Sequence, residues 1–324
     1  MSVAVRPFPA DTAVLHIGPH KTGTTALQQA MRQAREAMLA QGVRVAGRGP
    51  GDGDAARYAI RLTPIRGEEF GREAWDSVKA DLADPSVPRR IFSRETFANA
   101  GDARAGRLIE ELGPVQVVLS ARPLAELIPS QYSQFVQSGI CTRPFESWLD
   151  LLFADDAADA DERSVRLFWK RHRHDVQVRR WGSLVGAERI TVVVVDHRDR
   201  LFLARSFEQL LDLRAGTLVD PIRSVRQNRS LTLAELELVR RWQELAVPSG
   251  ASRSELFSLG WQLCSHLRRH DAEPADGSLT LPSWAVGEAN RRAAASADEI
   301  IASGARVVGE LGRLSAASPP SVTS

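Results

Sequence analysis

The sequence predicts an α/β protein, a three-layer arrangement with a central parallel sheet of about five strands and a helical addition at the C-terminal end. Apolar runs of strand length recur along the chain, as in Ala13 to Ile17, Val115 to Ser120 and Ile190 to Val195. Between them lie stretches whose apolar residues repeat at helical spacing, the alternation that builds a parallel sheet covered on both faces. From Leu231 onward the pattern is helical only.

Ala13 to Ile17 is almost wholly apolar, which suits a central strand buried on both faces. Thr24 to Ala40 follows as a helix, with Ala26, Leu27, Ala30, Ala34 and Met38 on one side. Gly42 ends it, and Val43 to Ala46 reads as a short strand. Gly47 to Gly53 is rich in breakers and reads as a loop. A helix is expected over Arg72 to Leu82 and a strand over Arg89 to Ser93. The strand Val115 to Ser120 leads into a helix over Leu124 to Gln137. Ala154 to Glu162 is an acidic loop, Val165 to Val185 is helical, and Ile190 to Val195 is a further strand. Leu231 to Leu245, Glu255 to Arg269 and Trp284 to Leu311 are the late helices. The reading is of one domain over residues 1–313, followed by a disordered Ser-, Pro- and Ala-rich tail at 314–324.

With 324 residues, 43% hydrophobic and 25% charged, the chain is long enough for a sizeable core and ordinary for a globular protein. A net charge of +2 gives no bulk attraction for nucleic acid or an anionic membrane. The longest apolar run, Ile190 to Val195, is far shorter than a membrane span. Met1 to Asp11 lacks the apolar core of a signal peptide. Cys141 and Cys264 fit no metal or redox spacing and read as two idle, buried thiols. The expected setting is the reducing cytoplasm.

The chemistry is concentrated after the first strand, in Gly18-Pro-His-Lys-Thr-Gly-Thr-Thr25. A Gly- and Thr-rich turn between a strand and a helix is a phosphate cradle, because helix N-terminal N–H groups point outward and the dipole favours an anion. Gly18 and Gly23 have the spacing of a Walker A loop, yet Thr24 stands where that loop requires lysine. The one lysine, Lys21, lies inside the turn, so the loop is P-loop-like without being a Walker A. Lys21, Thr22, Gly23, Thr24 and Thr25 are the candidate phosphate ligands.

Two later segments add to it. Arg122 sits at the tip of the strand Val115 to Ser120, where open α/β sheets collect ligands, and Pro123 suits the start of a helix. Ser130 lies eight residues on, two turns along that helix, just after Pro129. A guanidinium fork with a hydroxyl makes a second phosphate clamp. In Ile91-Phe-Ser-Arg-Glu-Thr-Phe97, a short strand delivers Glu95 to the same sheet edge. A carboxylate there can take a proton from an attacking hydroxyl. Each of these last two segments, taken alone, also suits a plain structural role.

Together the three segments resemble the sulfotransferase superfamily that uses 3′-phosphoadenosine 5′-phosphosulfate (PAPS), in particular its bacterial members and its carbohydrate-type branch. The resemblance runs from about Ala13 to Leu245 and is most specific in Lys-Thr-Gly-Thr-Thr. It implies that Lys21 to Thr25 bind the 5′-phosphosulfate and that Arg122 and Ser130 bind the 3′-phosphate. It implies Glu95 as the base, with His20 next in line. It also implies that Asn228, Arg229 and Ser230, before the helix at Leu231, close over the nucleotide. The co-substrate would be PAPS and the product adenosine 3′,5′-bisphosphate, with no metal required. The acceptor would be a hydroxyl on a small molecule or glycan.

Other features carry less. Thr191-Val-Val-Val-Val-Asp196 has the pattern of a Walker B strand, the best support for a kinase or NTPase using ATP and Mg²⁺. A non-catalytic nucleotide-binding relative is a third reading. His16, on the first strand, is expected to be buried and hydrogen-bonded. Arg171-His-Arg-His174 reads as a solvated helix face with no carboxylate at metal-ligand spacing. Trp148, Trp169, Trp181 and Trp242 fall in helical patterns and are expected in or beside the core.

Overall fold

The computed structural model describes residues 5–157, 160–196, 198–224, 229–269, 277 and 279–316. Its sheet has six parallel strands among the described residues: β1 Thr12–Gly18, β2 Val43–Val45, β3 Arg89–Ser93, β4 Gln116–Ala121, β5 Ile190–Val194 and β6 Arg306–Val308. Their spatial order is β2-β3-β1-β4-β5-β6. The chain builds β1 first, crosses to β2 and β3 on one side, and then crosses to β4, β5 and β6 on the other. This places the reversal of strand order at the C-terminal end of β1, where open α/β sheets bind ligands. Helices cover the sheet, an arrangement consistent with a P-loop-like fold.

The chain divides into two compact units, the first made of Met1–Arg122, Arg171–Val225 and Ala294–Leu314, the second of the intervening segments and Ser315–Ser324. The first unit holds the sheet. Alternation along the strands sends Val14, Val118 and Val193 to one face, where they pack with Leu27 and Met31 of helix α1, Thr24–Gln33, and with Leu203 and Phe207 of the helix Phe202–Leu210. Leu15, Ile17, Phe92, Val117, Leu119 and Val192 are the buried alternates. Phe92 meets Trp75 and Phe97 at ring-centroid distances of 6.3 and 5.9 Å.

The second unit is helical. Its core is an aromatic cluster in which Trp148 contacts Tyr132, Phe135, Phe145 and Phe168. The Trp148 indole N–H is satisfied by Ser164 Oγ at 2.9 Å. Two of its helices open on capping boxes, Thr232 with Glu235 and Ser252 with Glu255, each pairing an otherwise orphaned helix-end N–H. Cys141 and Cys264 are both buried and free, as expected. The helix Leu124–Gln137 continues through Pro129.

Several expectations change. Among the described residues the sheet has six strands, because the expected helix Trp284 to Leu311 stops at Ala302 and the chain returns to the sheet as β6. Gly304, at φ 74°, makes the stop. A three-residue strand is too short to show a period of its own. The helix expected over Thr24 to Ala40 breaks at Ala34 (φ −90°, ψ 8°), and that over Val165 to Val185 breaks at Arg173 (φ −74°, ψ 83°). The loop expected over Gly47 to Gly53 gives way to a helix at Asp52–Ala59. Leu314, expected at the start of a disordered tail, is buried within a 3-10 turn, Leu311–Ser315. Residues 317–324 lie outside those described.

Val308 is 4% exposed and belongs to the same core as Val14 and Phe207. Placing a carboxylate there strands a charge in apolar surroundings. Val308→Asp should therefore lower stability by about 3 kcal/mol, seen as an earlier urea midpoint. A midpoint equal to that of the unsubstituted chain would mean that β6 is not part of the folded sheet.

Candidate functional site

The site is built around the turn that leaves β1. Gly18, Lys21 and Gly23 all take positive φ, at 80°, 67° and 88°. Glycine adopts this freely, but lysine does so at a cost of about 1–2 kcal/mol, and such residues persist only where neighbours hold them. Two bonds hold this one. Thr22 Oγ1 donates to the Pro19 carbonyl at 2.7 Å, and Arg122 Nη1 donates to the Lys21 carbonyl at 3.1 Å. Arg122, from the tip of β4, is thus tied to the loop of β1. Thr22 is fully buried, and its hydroxyl serves the turn itself.

Gly23 is the N-cap of α1, with no side-chain cap and no acidic residue in the first turn. Helix-end N–H groups that no side chain caps are donors for an anion, and nothing negative on the first turn competes with it. Thr24 opens the helix almost buried and Thr25 is exposed.

Glu95 arrives from the neighbouring strand. The Arg94 N–H donates to the His16 carbonyl at 2.9 Å, pinning the end of β3 to β1, and Glu95 starts a 3-10 turn there. A methyl group on Gly18 would lie 2.8 Å from Glu95 Cβ and 3.4 Å from Thr24 Cγ2. Only glycine fits, and Thr24 and the base of the Glu95 side chain converge on it. Glu95 is half-buried. Its Oε2 accepts a 2.8 Å bond from Gln28 Nε2. Gln28 in turn accepts from Arg94, and Arg94 pairs with Asp52.

Four histidines of the first unit lie among the described residues. His16 is buried and hydrogen-bonded as expected, with Ser93 Oγ 2.7 Å from Nδ1 and Ser120 Oγ 2.8 Å from Nε2, and one ring thereby links β3, β1 and β4. Burial pushes its pKa down to about 3. His20 is half-buried, with an Nε2 shut off from solvent and unpartnered among the described residues. Burial first, then the nearby cations Arg171 and Lys21 and the neighbouring His172 ring, hold it well below the ordinary imidazole range. The solvated face expected at Arg171 to His174 is corrected: His172 and His174 are 1% and 2% exposed, because the chain turns at Arg173 and directs both rings inward. Arg171 Nε donates to Asn99 Oδ1 at 2.8 Å, and Arg173 pairs with Asp175 at 2.7 Å. Trp148, Trp169 and Trp181 are buried and Trp242 half-buried, as expected.

The remaining expected ligands belong to the second unit. Ser130 is half-buried on the helix Leu124–Gln137. Arg229 donates to both carboxylate oxygens of Glu235, at 2.7 and 2.5 Å, and to the Leu267 carbonyl at 2.6 Å. Ser230 is exposed. Asn228 lies outside the described residues. At the tip of β5, Asp196 is ion-paired with Arg198 at 3.0 Å and with Arg313. Among the described residues, no three His, Cys, Asp or Glu side chains are grouped to hold a metal ion. No helix there is long and apolar enough to cross a membrane.

Sequence reasoning missed Gln28, Arg94 and Asp52. Their signal is faint: Gln28 stands four residues after Thr24, hence on the same helix face, while Arg94 adjoins Glu95. Asp52 sits in a stretch that reads as loop.

The buried imidazoles set a dependence on pH. Burial lowers His174 to about 4 and His172 well below 6.5, alongside His16 at about 3. Each is neutral in the fold and titrates at the ordinary value of about 6.5 when unfolded, so its contribution is complete above that value. It is lost as pH falls toward the folded pKa, at up to about 1.4 kcal/mol per pH unit for each ring. The urea midpoint should therefore fall between about pH 7.5 and about pH 4.5, and His16→Gln should flatten the fall. An unchanged midpoint over that interval would show that these rings are not buried neutral.

Compared with known proteins, the chain is similar to the solved structure of a sulfotransferase from Alicyclobacillus acidocaldarius. The two match with a TM-score of 0.45 at 15% sequence identity, over 81% of this chain and 97% of the other. No protein-family model matches the chain, and no curated protein matches it.

Proposed function

We propose that this protein is a sulfotransferase that moves a sulfuryl group from PAPS to an acceptor hydroxyl, with the acceptor a carbohydrate or glycoconjugate. The observation that carries this reading is the convergence on Gly18. The lysine-bearing turn and the uncapped start of α1 lie on one side of it, and Glu95 lies against it from the next strand. A donor phosphate and a proton acceptor at one point are what in-line transfer to a hydroxyl requires. The resemblance of Lys21 to Thr25 to the PAPS-binding loop supports the choice of donor. The Glu base of the carbohydrate branch supports the choice of acceptor.

In this reading the acceptor oxygen attacks sulfur as its proton passes to Glu95. The bond from sulfur to the bridging oxygen of the 5′-phosphate breaks, and adenosine 3′,5′-bisphosphate leaves. Lys21 neutralises the charge that develops on that bridging oxygen, and the α1 N–H groups hold the phosphate. The family resemblance assigns Arg122 and Ser130 to the 3′-phosphate, and Asn228, Arg229 and Ser230 to the nucleotide. Kinase chemistry is less well served. The Walker lysine position holds Thr24, and the Walker B acid is neutralised by two arginines.

Adenosine 3′,5′-bisphosphate at about a hundred times its Kd should stabilise the protein by about 2.7 kcal/mol, seen as a raised melting temperature, whereas ATP with Mg²⁺ should not. The reverse result would refute the proposal. Binding without consumption of PAPS by any acceptor would indicate a non-catalytic relative.

Lys21→Ala should lower kcat by at least about a hundredfold, and Glu95→Gln by at least about a hundredfold with bisphosphate affinity unchanged. Normal transfer by the Glu95 variant would move the base to His20.

A further inference from the structure

Glu95 is held at one oxygen by a chain of three polar side chains, all from the first unit. It begins at Asp52, the first residue of its helix, whose Oδ1 accepts the N–H groups of Arg48 and Gly49 at 2.9 and 3.0 Å. A methyl group on Gly47 would lie 2.5 Å from that same oxygen, so the loop closes on the carboxylate only because residue 47 is glycine. Oδ2 of Asp52 accepts from Arg94 Nη2 at 2.8 Å, an ion pair with both side chains largely buried. Arg94 Nη1 then donates to Gln28 Oε1 at 3.2 Å, and Gln28 Nε2 donates to Glu95 Oε2 at 2.8 Å.

The direction of this chain is forced. A guanidinium has donors and no acceptor, so the oxygen end of the Gln28 amide must face Arg94. Its NH₂ end must then face Glu95, and Oε2 must offer a lone pair. Among the described residues the other oxygen, Oε1, accepts no hydrogen bond. Asp52 is fixed by two backbone donors, so the polarity is set at a distance from the carboxylate it serves.

We propose that Gln28 is a positioning residue for Glu95, its amide direction set by the Asp52–Arg94 pair, so that one oxygen is held and the other takes the acceptor's proton. This rests on the sulfotransferase reading. Gln28 lies one helical turn after Thr24 on α1, so the helix whose first turn faces the donor phosphate also aims the base. Proton removal and leaving-group stabilisation are thereby referred to one rigid element.

Two substitutions at position 28 test it. Gln28→Glu keeps an acceptor for Arg94 and removes the donor to Glu95. Gln28→Met keeps the volume and removes both bonds. Each should lower kcat for sulfuryl transfer by about tenfold or more, with KM for PAPS and Kd for adenosine 3′,5′-bisphosphate unchanged. Neither should reduce kcat further on a Glu95→Gln background. Crystal structures of the unsubstituted protein and of Gln28→Met supply a readout apart from activity: the Glu95 carboxylate should leave its position when the amide is gone. If kcat stays within about twofold, or falls equally without Glu95, or the carboxylate does not move, the proposal is overturned. If the unsubstituted protein transfers no sulfuryl group, the functional reading fails, and the position of Glu95 in Gln28→Met still decides whether Gln28 positions it.

Discussion

The approach of Glu95 to Gly18 is the constraint on which the rest of the site depends. A backbone with any side chain at residue 18 would push the end of β3 away from the end of β1. With glycine there, Glu95, at the end of one parallel strand, packs its Cα and Cβ against the turn that leaves its neighbour. Parallel pairing of β1 with β3 supplies the alignment, since the register sets His16 against Ser93. The Arg94 N–H to His16 carbonyl bond extends that register by one residue, to the point where Glu95 begins. The position of Glu95 is therefore a consequence of strand register, and any slip in pairing would displace it.

The same edge is braced from beneath. His16 spans three strands through Ser93 and Ser120, and its ring packs against Phe207 with centroids 4.8 Å apart. A neutral imidazole can donate from one nitrogen and accept at the other, which two flanking hydroxyls satisfy by rotating to suit. The cost of burying a polar ring is thereby offset. Ser93 also lies 3.5 Å from Gln28 Nε2, so the bracing layer adjoins the chain that holds Glu95. Strand spacing below and carboxylate orientation above thus share a residue.

Legibility in the sequence followed the length and regularity of each element. The strand Arg89–Ser93 and the helix Leu124–Gln137 stand where the pattern places them, because apolar residues in one and helical spacing in the other leave little choice. The turn between β1 and α1 was legible because its residue types serve backbone geometry: Gly18 and Gly23 do take positive φ. β6 was hidden by its brevity, and the helix Asp52–Ala59 by the glycines before it. His172 and His174 were misread because charged neighbours suggested solvent, whereas the break at Arg173 turns the rings inward. Each of the two units is assembled from separated stretches, so no composition change marks a boundary between them along the chain.

The chain from Asp52 to Glu95 shows why site residues such as Gln28 escape a reading by motif. Each member is ordinary alone: an acid beginning a helix, an arginine after a strand, a glutamine inside a helix. Meaning arises only when the fold sets donor against acceptor, and then chemistry leaves one direction. Arg94 cannot accept, Asp52 cannot donate while ionised, and the amide between them and Glu95 has one end of each kind. Buried polar groups are costly when unmatched. An arrangement in which every link has a single orientation is therefore resistant to rearrangement. That resistance is what the proposed role of Glu95 requires, since its oxygen would have to meet one acceptor hydroxyl in one geometry.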